Sequence, residues 1–472
     1  MPAATSRLNQ TEIIRSFTLT ALIIIMDMSG FAGLAAEERL EEEPTEFNTL
    51  SNLNLPGFQV GLANMSQSLA ISNSGSTACA VLDDGTLWCW GTDSEYSMGN
   101  GNSIGASPTP MSILGPFGSG ALTQANQATD LVVSVTLGHA HFCALIDTGN
   151  PSPGSSEVWC WGNRWASANY HSYSHTAPEE VNSLDGDVVL VESGNYHTCA
   201  ILYNGSVQCW GDNANGQLGL QYKCVTGAEG MCGTSGNYWG ASSGWHTFIA
   251  IPQYFTLPAG KTAVGLNVWG SNTCVILNDA SYICTGSSFG GTGTPEYKNG
   301  SFRVAAANDW SAISTSGYLL ALSEGTGSEK MSRKDLDVYA RNAANTSYQS
   351  DVSIDDDILS FTGSSNDGPN SNQYECIILN NKSLACGDLG YDWPEFTGYL
   401  QGAWIETPSG ANPSAIISQD GLTCMVLNNG SIQCWGDNQG GYIGDGSSCL
   451  YGLSDPTGCT SNNLVTSPRY VS

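Results

Sequence analysis

Six times along this chain, two cysteines flank a short turn. Cys79/Cys89, Cys199/Cys209, Cys274/Cys284, Cys376/Cys386 and Cys424/Cys434 are each ten positions apart, and Cys143/Cys160 enclose a longer Gly/Pro/Ser loop. In "HTCAILYNGSVQCWG" the apolar runs on either side of Tyr203-Asn204-Gly205 predict a β-hairpin. A three-residue loop ending on a left-handed glycine sets Leu202 opposite Ser206, Ile201 opposite Val207 and Cys199 opposite Cys209. The cysteines then fall on a non-hydrogen-bonded pair, where Cα atoms lie about 4.5 Å apart and a disulfide fits. Aligned on Gly317, "WSAISTSGYLLALS" is a seventh copy, with Ser311 and Ala321 standing for the two cysteines. Cys224 with Cys232 and Cys449 with Cys459 pair the remainder, so every cysteine has a partner close in sequence.

A second signature runs between the hairpins. "TPMSI", "APEEV", "IPQYF", "TPEYK", "WPEFT" and "SPRYV" each predict a short strand, with proline at its start where no ladder bond is needed. Apolar runs such as "DLVVSVTLG" and "DVVLVESG" lead into each hairpin. One unit is then four short strands over roughly fifty to sixty residues, the size of a propeller blade. The expected architecture is all-β: a seven-bladed β-propeller of four-stranded blades, its ring closed by the C-terminal strand, residues 468–472, completing the first blade.

The N-terminus bears on the cysteines. Arg7 and Arg15 precede the apolar "SFTLTALIII", small residues follow, and then comes the charge run "EERLEEEP". This reads as a secretory signal cut between Ala32 and Ala36, or as an uncleaved anchor. Residues 1–36 are therefore signal or anchor, 37–58 an acidic flexible linker, and 59–472 the propeller. Export allows disulfides to persist and predicts a secreted or cell-surface location. With 14 Lys and Arg against 43 Asp and Glu, the net charge is −29, which argues against nucleic-acid and anionic-membrane partners.

The third copy carries Gly194, His197, Gly205, Trp210, Gly211, Asn213, Gly216, Gln217, Leu218 and Gly219. That pattern resembles the regulator of chromosome condensation repeat. The first copy keeps "WG" and "MGNG", the last "WGDNQGGYIGDG", and the similarity runs over about residues 60–472. The resemblance implies a seven-bladed propeller with, mostly, protein-binding roles. The eponymous member is a nucleotide exchange factor for a nuclear GTPase, and a secreted propeller-type β-lactamase inhibitor has a similar architecture. This chain departs from the nuclear type in its signal, acidity and paired cysteines.

His141 and His197 share one repeat position, as do Trp90, Trp161, Trp210 and Trp435, which marks them as architectural. Function is sought where the repeats differ, in loops on a rigid ring. One such loop carries Trp165, Tyr170, His171, Tyr173 and His175; its histidines have metal-ligand spacing for a helix, but the segment reads as loop. Tyr238, Trp239, Trp245 and His246 lie beyond the Cys224/Cys232 excursion. Trp165, Tyr170, His171, Tyr173, Tyr238, Trp239 and Trp245 form the candidate binding surface. The excursions at Cys224 and Cys449 hold the same repeat position, so both emerge on one side of the ring. Their staples suit either a preordered recognition surface or protection against proteolysis.

Asp351, Asp355, Asp356 and Asp357 offer calcium-type oxygens but lack a known loop spacing, so no cofactor is assigned. Asn64, Asn204, Asn299, Asn345, Asn381 and Asn429 head N-x-S/T sequons, which permit glycosylation without implying it. No catalytic set is visible. The reading is an exported, monomeric module that binds a protein or glycan through one face. The alternatives are a propeller enzyme acting on extracellular glycans and a structural cell-surface module.

Overall fold

The computed structural model describes the chain from Leu69 onward. The longest segments outside the description are 114–130, 164–174, 225–246, 298–309, 336–350, 364–373, 389–410 and 450–463. The signal and linker assignments at 1–36 and 37–58 also lie outside it.

The described residues form antiparallel sheets in chain order. The first holds β1 (Leu69–Ile71), β2 (Thr77–Val81), β3 (Leu87–Thr92) and β4 (Ala106–Ser112), and the second β5 (Leu131–Leu137), β6 (His141–Asp147), β7 (Ser156–Gly162) and β8 (His175–Glu180). The third holds β9 (Val188–Ser193), β10 (His197–Leu202), β11 (Val207–Asp212) and β12 (Phe248–Tyr254), and the fourth β13 (Ala263–Trp269), β14 (Asn272–Leu277), β15 (Tyr282–Gly286) and β16 (Glu296–Tyr297). The fifth holds β17 (Trp310–Thr315), β18 (Tyr318–Ser323), β19 (Glu329–Asp335) and β20 (Asp351–Ile354). Three strands are described in the sixth, β21 (Ile358–Gly363), β22 (Tyr374–Leu379) and β23 (Leu384–Asp388). The last holds β24 (Pro413–Gln419), β25 (Leu422–Leu427), β26 (Ile432–Asp437) and β27 (Leu464–Tyr470).

The cysteine hairpins are the second and third strands of their sheets. Cys199 faces Cys209 and Ile201 faces Val207, while the Gly205 N–H donates to the Leu202 carbonyl with Gly205 at φ 78°. Disulfides join Cys79–Cys89, Cys143–Cys160, Cys199–Cys209, Cys274–Cys284 and Cys424–Cys434, with Cα atoms 4.0–4.1 Å apart. Cys376 is disulfide-bonded and lies opposite Cys386 in register; Cys224 and Cys449 are also disulfide-bonded. Cys232 and Cys459 fall outside the described residues.

Three expectations need correction. The C-terminal strand does not join the first sheet. β27 pairs with β26, because each proline-bearing strand folds back on the hairpin before it and the last one does the same. The prolines sit within these outermost strands (Pro108, Pro110, Pro178, Pro252) and not only at their starts, since an edge strand has N–H groups to spare. In the cysteine-free copy Ser311 faces Leu322, not Ala321, and the hairpin forms the first and second strands of its sheet. Thr315 pairs with Tyr318, one residue away from the expected register, and no disulfide fixes it otherwise.

The core lies between sheets. One buried cluster joins Leu87, Met98 and Ile113 of the first sheet to Val132, Phe142 and Trp161 of the second. Further clusters join the second sheet to the third, the third to the fourth and the sixth to the last. Another joins Leu69, Ala80 and Trp90 of the first sheet to Leu422, Cys434 and Ile443 of the last. First strands meet in succession: β1 contacts β5, then β5–β9, β9–β13, β13–β17, β17–β21, β21–β24 and β24–β1.

The Cys199→Ala/Cys209→Ala double variant is expected to lose about 2–3 kcal/mol of stability, the scale for a short cross-linked loop. Thermal unfolding followed by circular dichroism checks this; an unchanged midpoint would show that the staple contributes nothing.

Candidate functional site: the interblade seams and the loops they hold

The "CWG" motif builds the seam. Pairing between third and fourth strands breaks between Cys89 and Gly91, Cys160 and Gly162, Cys209 and Gly211, and Cys434 and Gly436. The residue skipped each time is the tryptophan, so a bulge turns it out of its ladder. The following glycine is required: Gly211 has φ 102°, and a Cβ there would stand 2.4 Å from the Tyr196 carbonyl oxygen. Trp90, Trp161 and Trp210 are at most 1 % exposed.

Trp161 and Trp90 each enter the glycine loop of a neighbouring sheet. Trp161 packs on Gly99, and the Gly101 N–H donates to the Thr176 carbonyl at 2.7 Å. Between first and last sheets the same contacts recur. Trp90 packs on Gly444, its Nε1 donates to the Tyr442 carbonyl at 2.9 Å, and the Gly446 N–H donates to the Pro108 carbonyl at 2.8 Å. In the fourth sheet Thr285 holds the tryptophan's place, and its hydroxyl donates to the Gly216 carbonyl at 2.9 Å.

A second seam uses the histidines. His141 Nε2 lies 2.8 Å from Thr198 Oγ1 of the next sheet, and His197 Nε2 lies 2.8 Å from Thr273 Oγ1 of the one after. Both histidines are fully buried, and burial, the first cause in each, lowers their pKa from 6.5 to about 3, so both are neutral at physiological pH. Each ring lies over a glycine. A Cβ on Gly138 would stand 2.3 Å from His141 Cε1, and one on Gly194 would stand 2.4 Å from His197 Cε1. The turns stack: the His139 N–H donates to the Asn195 carbonyl and the Asn195 N–H to that of Gly270. The His139 and Tyr196 rings meet edge-on at 5.5 Å.

First strands are linked by side chains as well. Thr136 Oγ1 accepts the Ser193 N–H at 2.9 Å, and one sheet on, Glu192 Oε2 accepts the Val268 N–H at 3.1 Å. Glu192 is half-buried by area yet closely surrounded by protein, and desolvation raises its pKa from 4.5 to about 8, opposed by the Val268 bond.

The loops beyond the third strands start from a fixed base. Asn213 is fully buried; its Nδ2 donates to the Tyr222 carbonyl, and its Oδ1 accepts the Leu218 N–H. Its own carbonyl accepts the Cys224 N–H at 2.9 Å. Asn438 repeats this with Ser447, Ile443 and Cys449. Cys224 and Cys449, where the two excursions begin, are thus held at matching buried knots.

Trp165, Tyr170, His171, Tyr173, Tyr238, Trp239 and Trp245, with His246, lie outside the described residues. His175 lies in β8 opposite Gly162, and Asp351 in β20 opposite Ser332, while 355–357 lie outside. The threonines facing His141 and His197, and Glu192, were missed by the sequence reading. The recurring Thr-Cys of Thr198-Cys199, Thr273-Cys274 and Thr423-Cys424 was the available signal.

Two outcomes are expected. Gly194→Ala should cost about 2 kcal/mol or more by driving the His197 ring from its seat, read as a lowered unfolding midpoint. Stability against pH should peak near about 6.5. The unfolded state takes up two more protons, at His141 and His197, as pH falls from about 6.5 to about 3, so stability is lost there. The Glu192 contribution is complete below about 4.5 and is lost as pH rises through about 8, and Glu192→Gln should reduce that alkaline limb. A midpoint unmoved between pH 4 and 7 would contradict the neutral buried histidines.

The profile of the Regulator of chromosome condensation (RCC1) repeat matches residues 188–217. The human E3 ubiquitin-protein ligase HERC2 is 31% identical over 155 residues, 31% of this chain and 3% of that protein. The Arabidopsis thaliana ultraviolet-B receptor UVR8 is 31% identical over 156 residues, 32% of this chain and 31% of the receptor. The chain thus spans less than a third of these relatives. Prp20p from Saccharomyces cerevisiae superposes with a TM-score of 0.54 at 14% identity, covering 87% of each chain, which shows the propeller fold alone. The 188–217 match falls on the sheet whose tryptophan, histidine and asparagine build these seams, so the chain carries an RCC1 repeat there and is similar to proteins of that family.

Proposed function

We propose that this chain is an exported, disulfide-stapled ring of seven blades that recognises another protein through loops leaving one face. The closed ring is supported by the succession of first-strand contacts from β1 round to β24 and back. It is also supported by the seam between last and first sheets, which uses the same positions as the seam between first and second. Export is supported by the disulfides and by the absence of a free cysteine among the described residues.

The matching knots at Asn213 and Asn438 carry the recognition reading. Antiparallel order puts the first turn of each sheet and the segment leaving its third strand on one face, and the hairpin tips on the other. The knots at Asn213 and Asn438, from which the excursions start, and the half-buried His139 and Tyr196 therefore share a face. A rigid base lowers the ordering cost of such loops. Prp20p has been characterised for binding Gsp1p and histones, and for a complex with Kap60. At net charge −29 a basic protein surface is the complementary partner here.

A photo-crosslinking residue placed at Tyr238, and in a separate variant at Tyr203 on a hairpin tip, tests this in the native extracellular fraction. A discrete adduct is expected from the Tyr238 position and none from Tyr203. An adduct from Tyr203 alone, or from neither, overturns the reading.

A further inference from the structure

We infer that Asn204 and Asn429 are N-glycosylation sites that set an oligosaccharide on the hairpin-tip face, opposite the proposed recognition loops. Both head Asn-Gly-Ser sequons at the same position in the third and last sheets, and both are exposed. Asn381 heads a sequon at that repeat position in the sixth. The first and fourth copies keep the hydroxyl residue (Thr86, Ser281) but carry Asp84 and Asp279 at the asparagine's position, so only some tips form a sequon.

The side chains are arranged for the chemistry. Asn204 Oδ1 accepts the Ser206 N–H at 2.9 Å and the Ser206 hydroxyl at 2.6 Å. Asn429 Oδ1 accepts the Ser431 N–H at 3.0 Å and the Ser431 hydroxyl at 2.7 Å. Two donors on Oδ1 stabilise the imidate-like amide that has lost a proton from Nδ2, which makes Nδ2 the stronger nucleophile. No described residue accepts a hydrogen bond from either Nδ2.

The co-substrate is a polyprenyl-diphosphate-linked oligosaccharide. Asn Nδ2 forms a bond to the anomeric carbon, and the anomeric C–O bond breaks with its electron pair leaving on the diphosphate. The Nδ2 proton passes to a base of the transferase. The backbone N–H of Gly205 is held by the Leu202 carbonyl and that of Gly430 by Leu427 at 2.8 Å, so neither is free to attack its own asparagine side chain and deamidate it. The amide is thereby kept for the transferase.

This rests on export as proposed above, and the test separates the two. The full chain is expressed in a eukaryotic secretory host, alone and with a cleavable leader placed ahead of it. Peptide-N-glycosidase digestion in heavy-oxygen water is followed by peptide mapping. Labelled aspartate is expected at 204 and 429. Ser206→Ala and Ser431→Ala should each abolish labelling at their own site, and Ser206→Thr should keep it. A leader-bearing form secreted with intact disulfides but unlabelled at both sites overturns the inference. Labelling of the leader-bearing form alone upholds the sites and overturns export by the chain's own N-terminus.

Discussion

The first and second sheets are each tied to a neighbour by a tryptophan that its own ladder has expelled. A bulge at the tryptophan of "CWG" frees the indole, the next glycine makes the bulge sterically feasible, and the neighbour's glycine loop receives the ring. Burial follows from this, because short strands of five to seven residues have too little face to build a core alone. The stacked sheets share one another's apolar surface, and the clusters each span two of them.

The polar seam follows the same logic with different chemistry. A neutral imidazole reaches a threonine hydroxyl in the next sheet, and the backbone below must be glycine for the ring to lie flat. First strands face the risk of unpaired N–H groups along their inner edge. Thr136 and Glu192 each meet one such group from the neighbour. Glu192 does so as a carboxyl whose charge is suppressed, so the seam tolerates a titratable group where a threonine serves elsewhere.

The hairpins were legible because a disulfide needs its two cysteines opposite each other, which turns spacing into register; Cys199 with Cys209 is the clearest case. The same logic failed at Ser311, where no bond pins the strands and the pairing lies one residue over. Strand identity was legible in "SPRYV", but its sheet was not, since proline marks an edge strand without saying whose edge. The seam partners were illegible for a simple reason. Trp90 meets Tyr442 across 352 residues, and no local pattern encodes that distance. The candidate aromatic loops are legible as departures from the repeat, whereas the buried asparagine knots at Asn213 and Asn438, whose partners lie five to nine residues on, are visible only in the structure.

The observed disulfides have a consequence for how the chain is made. Their separations are ten and seventeen residues, all within one hairpin. A chain made from its N-terminus therefore delivers each thiol with its mate close behind, before the next pair appears. Hairpins close in microseconds, far faster than residues emerge. Oxidation can proceed in order from the N-terminus, with little opportunity for mispairing, and the slow step left is the meeting of the first and last sheets.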